Sequence, residues 1–306
     1  DITGRRNSKQ LEHEVIEKVN SIISSGKRII FATNDSNCSR NMFVDKLLER
    51  GINICNDSPH SRKAAKNNVV TAAYTCAWFL KNARIKKPFV LCSHSALLDE
   101  LNAMGVDDYV ATVDEHGRTR EEWFEPASHD NVMRFISQYP DVDAVVVGWD
   151  HNLTALKVSV AAAYLKLSRE TADTECQRNP IQIITCASDE GGVLGITPSD
   201  FCSNMGWSNL AVPALGNGTM SNAICVCAGE KNRAIDVGKP SEVLIELLRR
   251  PIEEEGYGVD LSRAVVIGDT LSTDIELANR SGMRSLLVLS GVTCRADLEQ
   301  EENPAR

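Results

Sequence analysis

Val265-Val266-Ile267-Gly268-Asp269-Thr270-Leu271-Ser272-Thr273-Asp274 sets an apolar run directly before two carboxylates five positions apart. Such a run predicts a buried strand that delivers its acids to the carboxyl edge of a sheet, where open α/β folds bind ligands. Two carboxylates crowded at that edge repel each other until a cation neutralises them. Hard oxygen ligands around a small open site suit Mg²⁺, which keeps several waters and often bridges to phosphate.

Working outward, the same strand-and-helix grammar fills both ends of the chain. Leu11, Val15, Val19, Ile22 and Ile23 fall at helical spacing, and Gly26 ends that helix. Arg28 to Thr33 reads as a buried strand, Arg40 to Glu49 as a helix stopped by Gly51, and Val69 to Asn82 as a further helix. After Ile235 come a Gly-Lys-Pro turn, a helix from Ser241 to Arg250, the strand into Asp269, a helix from Asp274 and a strand from Ser285 to Leu289. Between these blocks lie strands at Phe89–Leu91, Ala144–Gly148 and Ile181–Thr185, with helices at Ala96–Met104 and Ala155–Leu167. From Cys186 to Thr219 the composition turns to Gly, Ser, Asn and Pro and predicts mostly loop. Two blocks of one style around a third are read as one domain carrying an insertion. The expected fold class is α/β: a Rossmann-like parallel-sheet core from residues 1–85 and 234–306, with an inserted α/β domain over 86–233.

Composition narrows the function classes. A chain of 306 residues with 42% hydrophobic and 25% charged content is ordinary for a globular protein. The net charge of −9 argues against general binding to nucleic acid or anionic membranes. No apolar stretch reaches the roughly eighteen residues of a membrane span. The ten cysteines contain no CxxC pair, so scattered free thiols in a reducing cytosol are expected rather than a zinc site or a disulfide framework.

Four segments then belong together: Asp1-Ile2-Thr3-Gly4, Thr33-Asn34, Lys239 within Gly238-Lys239-Pro240-Ser241, and Asp269 with Asp274. They supply a carboxylate nucleophile, a hydroxyl with amides for an oxyanion, a fixed cation and a metal site. That is the equipment of phosphoryl transfer through an aspartyl-phosphate. In this order the chain resembles the haloacid dehalogenase superfamily, and within it the p-nitrophenylphosphatase and phosphoglycolate phosphatase branch with its large α/β cap. Phe31 to Ser36 with Ser39-Arg40, Val147-Gly148-Trp149-Asp150 and Leu287 to Thr293 carry the resemblance beyond the four motifs.

The resemblance implies roles. Asp1 attacks phosphorus, Thr33 and the amide of Asn34 hold a phosphoryl oxygen, and Lys239 offsets the negative charge. Asp1, the Thr3 position, Asp269 and Asp274 form the Mg²⁺ site, with Asp274 orienting metal-bound water or Lys239 from behind. Residues 86–233 become the cap, whose loop through Asp189, with Gly218 near the return to the core, reaches substrate. Asp189 and Glu190 would repel a substrate carboxylate. A small phosphorylated metabolite, a cytoplasmic location and a homodimer through the cap follow from the same resemblance.

The opening departs from the family. Its members carry DxDG, whose second Asp is the general acid and base; here that place is Thr3. A hydroxyl with no nearby base forgoes a rate factor of about 10²–10⁴. Asp-Ile-Thr-Gly also resembles the phosphorylation motif of P-type ATPases, although no membrane span accompanies it. The nucleophile is expected at the end of a central strand, so either the chain is a fragment of a longer protein or Asp1 is not the nucleophile; the spacing from Gly4 to Thr33 favours the fragment. The rival reading is a catalytically impaired relative that binds phosphorylated ligands or a protein partner.

Overall fold

The computed structural model describes residues 9–55, 59–172, 180–196, 211–229, 234–289, 291–293 and 295–298. They divide into two compact units. The first takes the chain up to Asn34, Cys38–Thr75 and the chain from Val237; the second takes Asp35–Asn37 and Cys76–Asp236.

In the first unit, β1 (Phe31–Thr33) runs parallel to β2 (Val69–Thr71), with Thr33 opposite Thr71. Val44 and Leu47 of the helix Arg40–Glu49 form a buried cluster with Ile52, Ala65 and Val69. Ile16, Val19 and Ile23 of the helix Lys9–Ser24 pack against it, which is the burial that their spacing of three and four demands. Ser39 starts the helix Arg40–Glu49 by accepting the Met42 amide at 3.3 Å. Residues 69–82 are not one helix. The β-branched Val69-Val70-Thr71 completes the strand pair, and Thr71 Oγ1 then accepts the Tyr74 amide at 3.2 Å, so the helix begins at Ala72 and ends at Asn82.

The second unit is built on five parallel strands. They are β3 (Pro88–Leu91), β4 (Val110–Ala111), β5 (Ala144–Val147), β6 (Gln182–Thr185) and β9 (Ile235–Asp236), in the order β4-β3-β5-β6-β9. Between β6 and β9 in the chain, β7 (Gly191–Ile196) pairs antiparallel with β8 (Ala211–Leu215), followed by the helix Asn217–Cys227. This corrects the expected loop at 191–196 and 211–219, while 197–210 lie outside the described residues: glycines hide strands from composition where a ring or another backbone comes close. A Cβ at Gly192, for example, would stand 3.3 Å from the Trp149 ring. Cys225 and Cys227 lie on that helix. The sequence reading also passed over β4 and the helix His129–Gln138. Phe89, Trp123, Phe135, Val145, Leu156 and Leu165 belong to the buried core, where Trp123 stacks on Phe135 with ring centroids 4.1 Å apart.

Back in the first unit, β10 (Val265–Gly268) runs parallel to β11 (Arg284–Leu287). Val265, Ile267 and Leu286 are 49%, 56% and 53% exposed, so β10 is less covered than its composition suggests. Among the described residues β10 has only β11 beside it, and two strands cannot cover both faces of a parallel sheet. The seven described cysteines are free thiols. No helix among the described residues is long and apolar enough to cross a membrane.

Trp123 is 1% exposed and anchors the aromatic cluster of the second unit. Trp123→Ala should therefore cost about 3–5 kcal/mol, read as a lower denaturation midpoint in urea; an unchanged midpoint would contradict its place in the core.

Candidate active site

The acidic motif closes on itself through an unusual turn. Beyond β10, residues Leu271–Ile275 form a single π-helical turn, with the Ile275 amide reaching the Thr270 carbonyl at 3.2 Å and the Asp274 amide reaching it at 2.9 Å. Such turns are rare and recur at functional sites. The wider turn brings Asp274 back over the end of the strand. Its Oδ2 accepts the amides of Asp269 (3.1 Å) and Thr270 (3.2 Å). A Cβ at Gly268 would collide with the Asp274 carboxylate, so this position requires glycine.

The other oxygen of Asp274 meets the cation. Lys239 Nζ lies 2.7 Å from Asp274 Oδ1, with the two side chains 14% and 10% exposed. Lys239 is placed in turn by Asn34. The Lys239 amide donates to Asn34 Oδ1 at 2.7 Å, and Asn34 Nδ2 donates to the Lys239 carbonyl at 3.2 Å. This two-way clamp ties the loop after β1 to the Gly238-Lys239-Pro240 turn, whose Lys239–Pro240 peptide is cis.

Asp269 is 4% exposed and held on both oxygens. Oδ1 accepts the Thr270 hydroxyl at 3.2 Å, and Oδ2 accepts the Val292 amide at 3.0 Å. Burial works against its charge, while the Val292 amide and the Thr270 hydroxyl donate to it and favour the ion. A Cβ at Gly291 would run into this carboxylate. A carboxylate oxygen that accepts one hydrogen bond keeps a further lone pair, and a hard oxygen donor of this kind fits Mg²⁺. Among the described residues no group of three or more His, Cys, Asp or Glu could hold a metal by itself.

Of the residues singled out from sequence, Asn34, Lys239, Asp269 and Asp274 are thus joined in one network. Thr33 ends β1 immediately before Asn34. Asp1 and Thr3 lie outside the described residues. Asp189 and Gly218 belong to the second unit and are joined to each other: the Gly218 amide donates to the Asp189 carbonyl at 2.9 Å. The neighbouring Glu190 carbonyl accepts the Gly216 amide at 3.0 Å and the Thr219 hydroxyl at 2.6 Å. Side chains at Gly216 or Gly218 would collide with backbone at 188–190, which explains both glycines. Sequence reasoning missed the Val292 amide and the glycine before it. The usable signal was the glycine four residues beyond the end of β11, the strand paired with the one that carries the acidic motif.

Comparison with known proteins agrees with this geometry. A haloacid dehalogenase-like hydrolase family model matches residues 6–107, and a second HAD-hydrolase-like model matches 236–306. Over 295 residues the chain is 26% identical to the chloroplastic phosphoglycolate phosphatase 1A of Arabidopsis thaliana, covering 94% of this chain and 67% of the relative. It is 28% identical over 296 residues to the 4-nitrophenylphosphatase of Schizosaccharomyces pombe, covering 95% of this chain and 82% of that protein. Among solved structures, the glycerol phosphate phosphatase of Mycobacterium tuberculosis in complex with magnesium superposes with a TM-score of 0.58 at 23% identity, over 94% of this chain and 66% of that one. At that identity the superposition speaks for the fold. Both matched segments lie at the chain ends, where the Asn34–Lys239–Asp274–Asp269 network is assembled, and the curated relatives, phosphatases of phosphoglycolate and nitrophenyl phosphate by name, span nearly the whole chain: it belongs to the haloacid dehalogenase superfamily.

Proposed function

We propose that the chain is a Mg²⁺-dependent phosphomonoester hydrolase that acts on a small phosphorylated metabolite through an aspartyl-phosphate on Asp1. The observation that carries this reading is the Lys239–Asp274 pair beside the nearly buried Asp269 (2.7 Å between Nζ and Oδ1). Two carboxylates and one ammonium leave a single net negative charge, which suits a divalent cation facing a phosphate dianion. Asp269 would hold Mg²⁺ through a carboxylate oxygen. Asp274 acts behind it, fixing the Asp269 and Thr270 amides and the Lys239 ammonium. When bound, the metal polarises the phosphoryl oxygen and offsets the charge that builds during transfer.

The chain's own groups do the rest. Thr33 and the Asn34 amide hold a phosphoryl oxygen, Asn34 keeps Lys239 aimed through its side chain, and Asp1 supplies the attacking carboxylate. Residues 86–233 serve as the cap, and the Asp189–Gly218 contact fixes the loop that selects substrate. The substrates in the relatives' names mark the class: phosphoglycolate, nitrophenyl phosphate and glycerol phosphate. A cytosolic location and a homodimer through the cap complete the proposal. A second reading rests on Thr3, which replaces the family's acid–base Asp: the chain binds phosphorylated ligands and turns them over slowly or not at all.

Hydrolysis of p-nitrophenyl phosphate with Mg²⁺, and its loss on adding EDTA, separates the two readings. Turnover that vanishes with the metal supports the hydrolase; phosphate binding without turnover supports the binder. Asp269→Asn should lower Mg²⁺-dependent turnover by at least about 100-fold, since even residues one step removed from a metal cost 10–100-fold; retained turnover would sink the site assignment. Gly291→Ala must displace the Asp269 carboxylate, so half-maximal activity should require at least about ten-fold more Mg²⁺. An unchanged Mg²⁺ requirement would show that the Val292 contact does not hold the ligand.

A further inference from the structure

Trp149 follows β5 and has every polar atom engaged. Its amide donates to Ser36 Oγ at 2.8 Å, its carbonyl accepts from Ser93 Oγ at 2.9 Å, and its indole Nε1 donates to the Leu215 carbonyl at 2.8 Å. Its ring lies against Gly192 of β7, while Leu215 ends β8. One side chain therefore grips both strands of the antiparallel pair.

The turn that carries Trp149 is locked by an ion pair. Lys157 Nζ lies 2.6 Å from Asp150 Oδ2, and both side chains are 0% exposed. Lys157 Nζ also donates to the Asn152 carbonyl at 3.0 Å, and Asp150 Oδ1 accepts the Asn152 amide at 2.9 Å. Burial pulls the Lys157 pKa down while the Asp150 carboxylate pulls it back up. A buried ion pair adds little net stability over an apolar pair of similar volume. Its distinctive effect here is geometric, because the two groups together close the amide and the carbonyl of Asn152.

We propose that the Asp150–Lys157 pair is a positioning device. It fixes the 150–152 turn so that Trp149 holds the β7–β8 pair, and with it the Asp189–Gly192 segment, in place for substrate. The hold on β7–β8 follows from these contacts, and its service to substrate rests on the phosphatase reading.

Neutralising one partner would leave the other charge buried, so the test in the full chain uses Asp150→Asn with Lys157→Met. The folded state is checked by a cooperative urea transition. Amide hydrogen exchange at 191–196 and 211–215 should quicken by about ten-fold or more while β3 and β5 keep their protection. KM for p-nitrophenyl phosphate should rise about three- to ten-fold with kcat within about two-fold, the pattern of lost ground-state positioning. Trp149→Phe, which keeps a ring and removes the indole N–H, should move both readouts in the same direction. Combined with the double variant, it should add little, because both act along one path. Unchanged exchange in the two strands would overturn the device, as would a fall in kcat at constant KM. If the unaltered protein hydrolyses nothing, the phosphatase reading fails, and hydrogen exchange alone decides the positioning.

Discussion

The first unit depends on an ammonium held 2.7 Å from a carboxylate that is itself almost buried. Without Lys239, Asp269 and Asp274 would place two like charges at one strand end with no cation against them. With Lys239 present, that repulsion is offset, at the cost of strict geometry. Asp274 must face two amides with one oxygen and the ammonium with the other. The π-helical turn at 271–275 supplies the extra residue that lets it do so. Asn34 then fixes where the lysine backbone lies, which links the end of β1 to a turn some two hundred residues later.

Glycine recurs wherever one of these groups needs room. Gly268 and Gly291 leave space for the two carboxylates, and in the second unit Gly216 and Gly218 leave space for the backbone at 188–190. None of these four has the positive φ that usually explains a glycine. Close approach is their reason, and a single methyl group would disturb the acid or the loop that each one faces.

Much of the site was legible in the sequence because its motifs are local. An apolar run ending in Gly-Asp, a Gly-Lys-Pro turn and a strand ending in Thr-Asn each name their own place in an α/β fold. The helix Arg40–Glu49 and the strand Ala144–Val147 were legible for the same reason: their spacing and β-branching agree with their burial. The misses have physical causes. Val69-Val70-Thr71 sits beside an apolar helix, and its strand character appears only once it pairs with Phe31-Ala32-Thr33. Gly191–Ile196 and Ala211–Leu215 look like loop because their stability comes from each other and from Trp149, not from side-chain propensity. The Val292 amide carries no side-chain signature at all. Asp1 and Thr3, to which the proposed mechanism gives the attacking carboxylate and the acid–base position, fall outside the described residues.

The central claim is that the Asp269 carboxylate, steadied by Val292 and Thr270 and balanced by the Lys239–Asp274 pair, is where a divalent cation binds. The most direct measurement is a crystal structure of the protein grown with Mn²⁺ in place of Mg²⁺, with the metal located by its anomalous scattering. The account predicts one strong peak about 2.2 Å from an Asp269 oxygen, with Lys239 still on Asp274. A peak at other residues, or none at Asp269 while that ion pair stands intact, would contradict it.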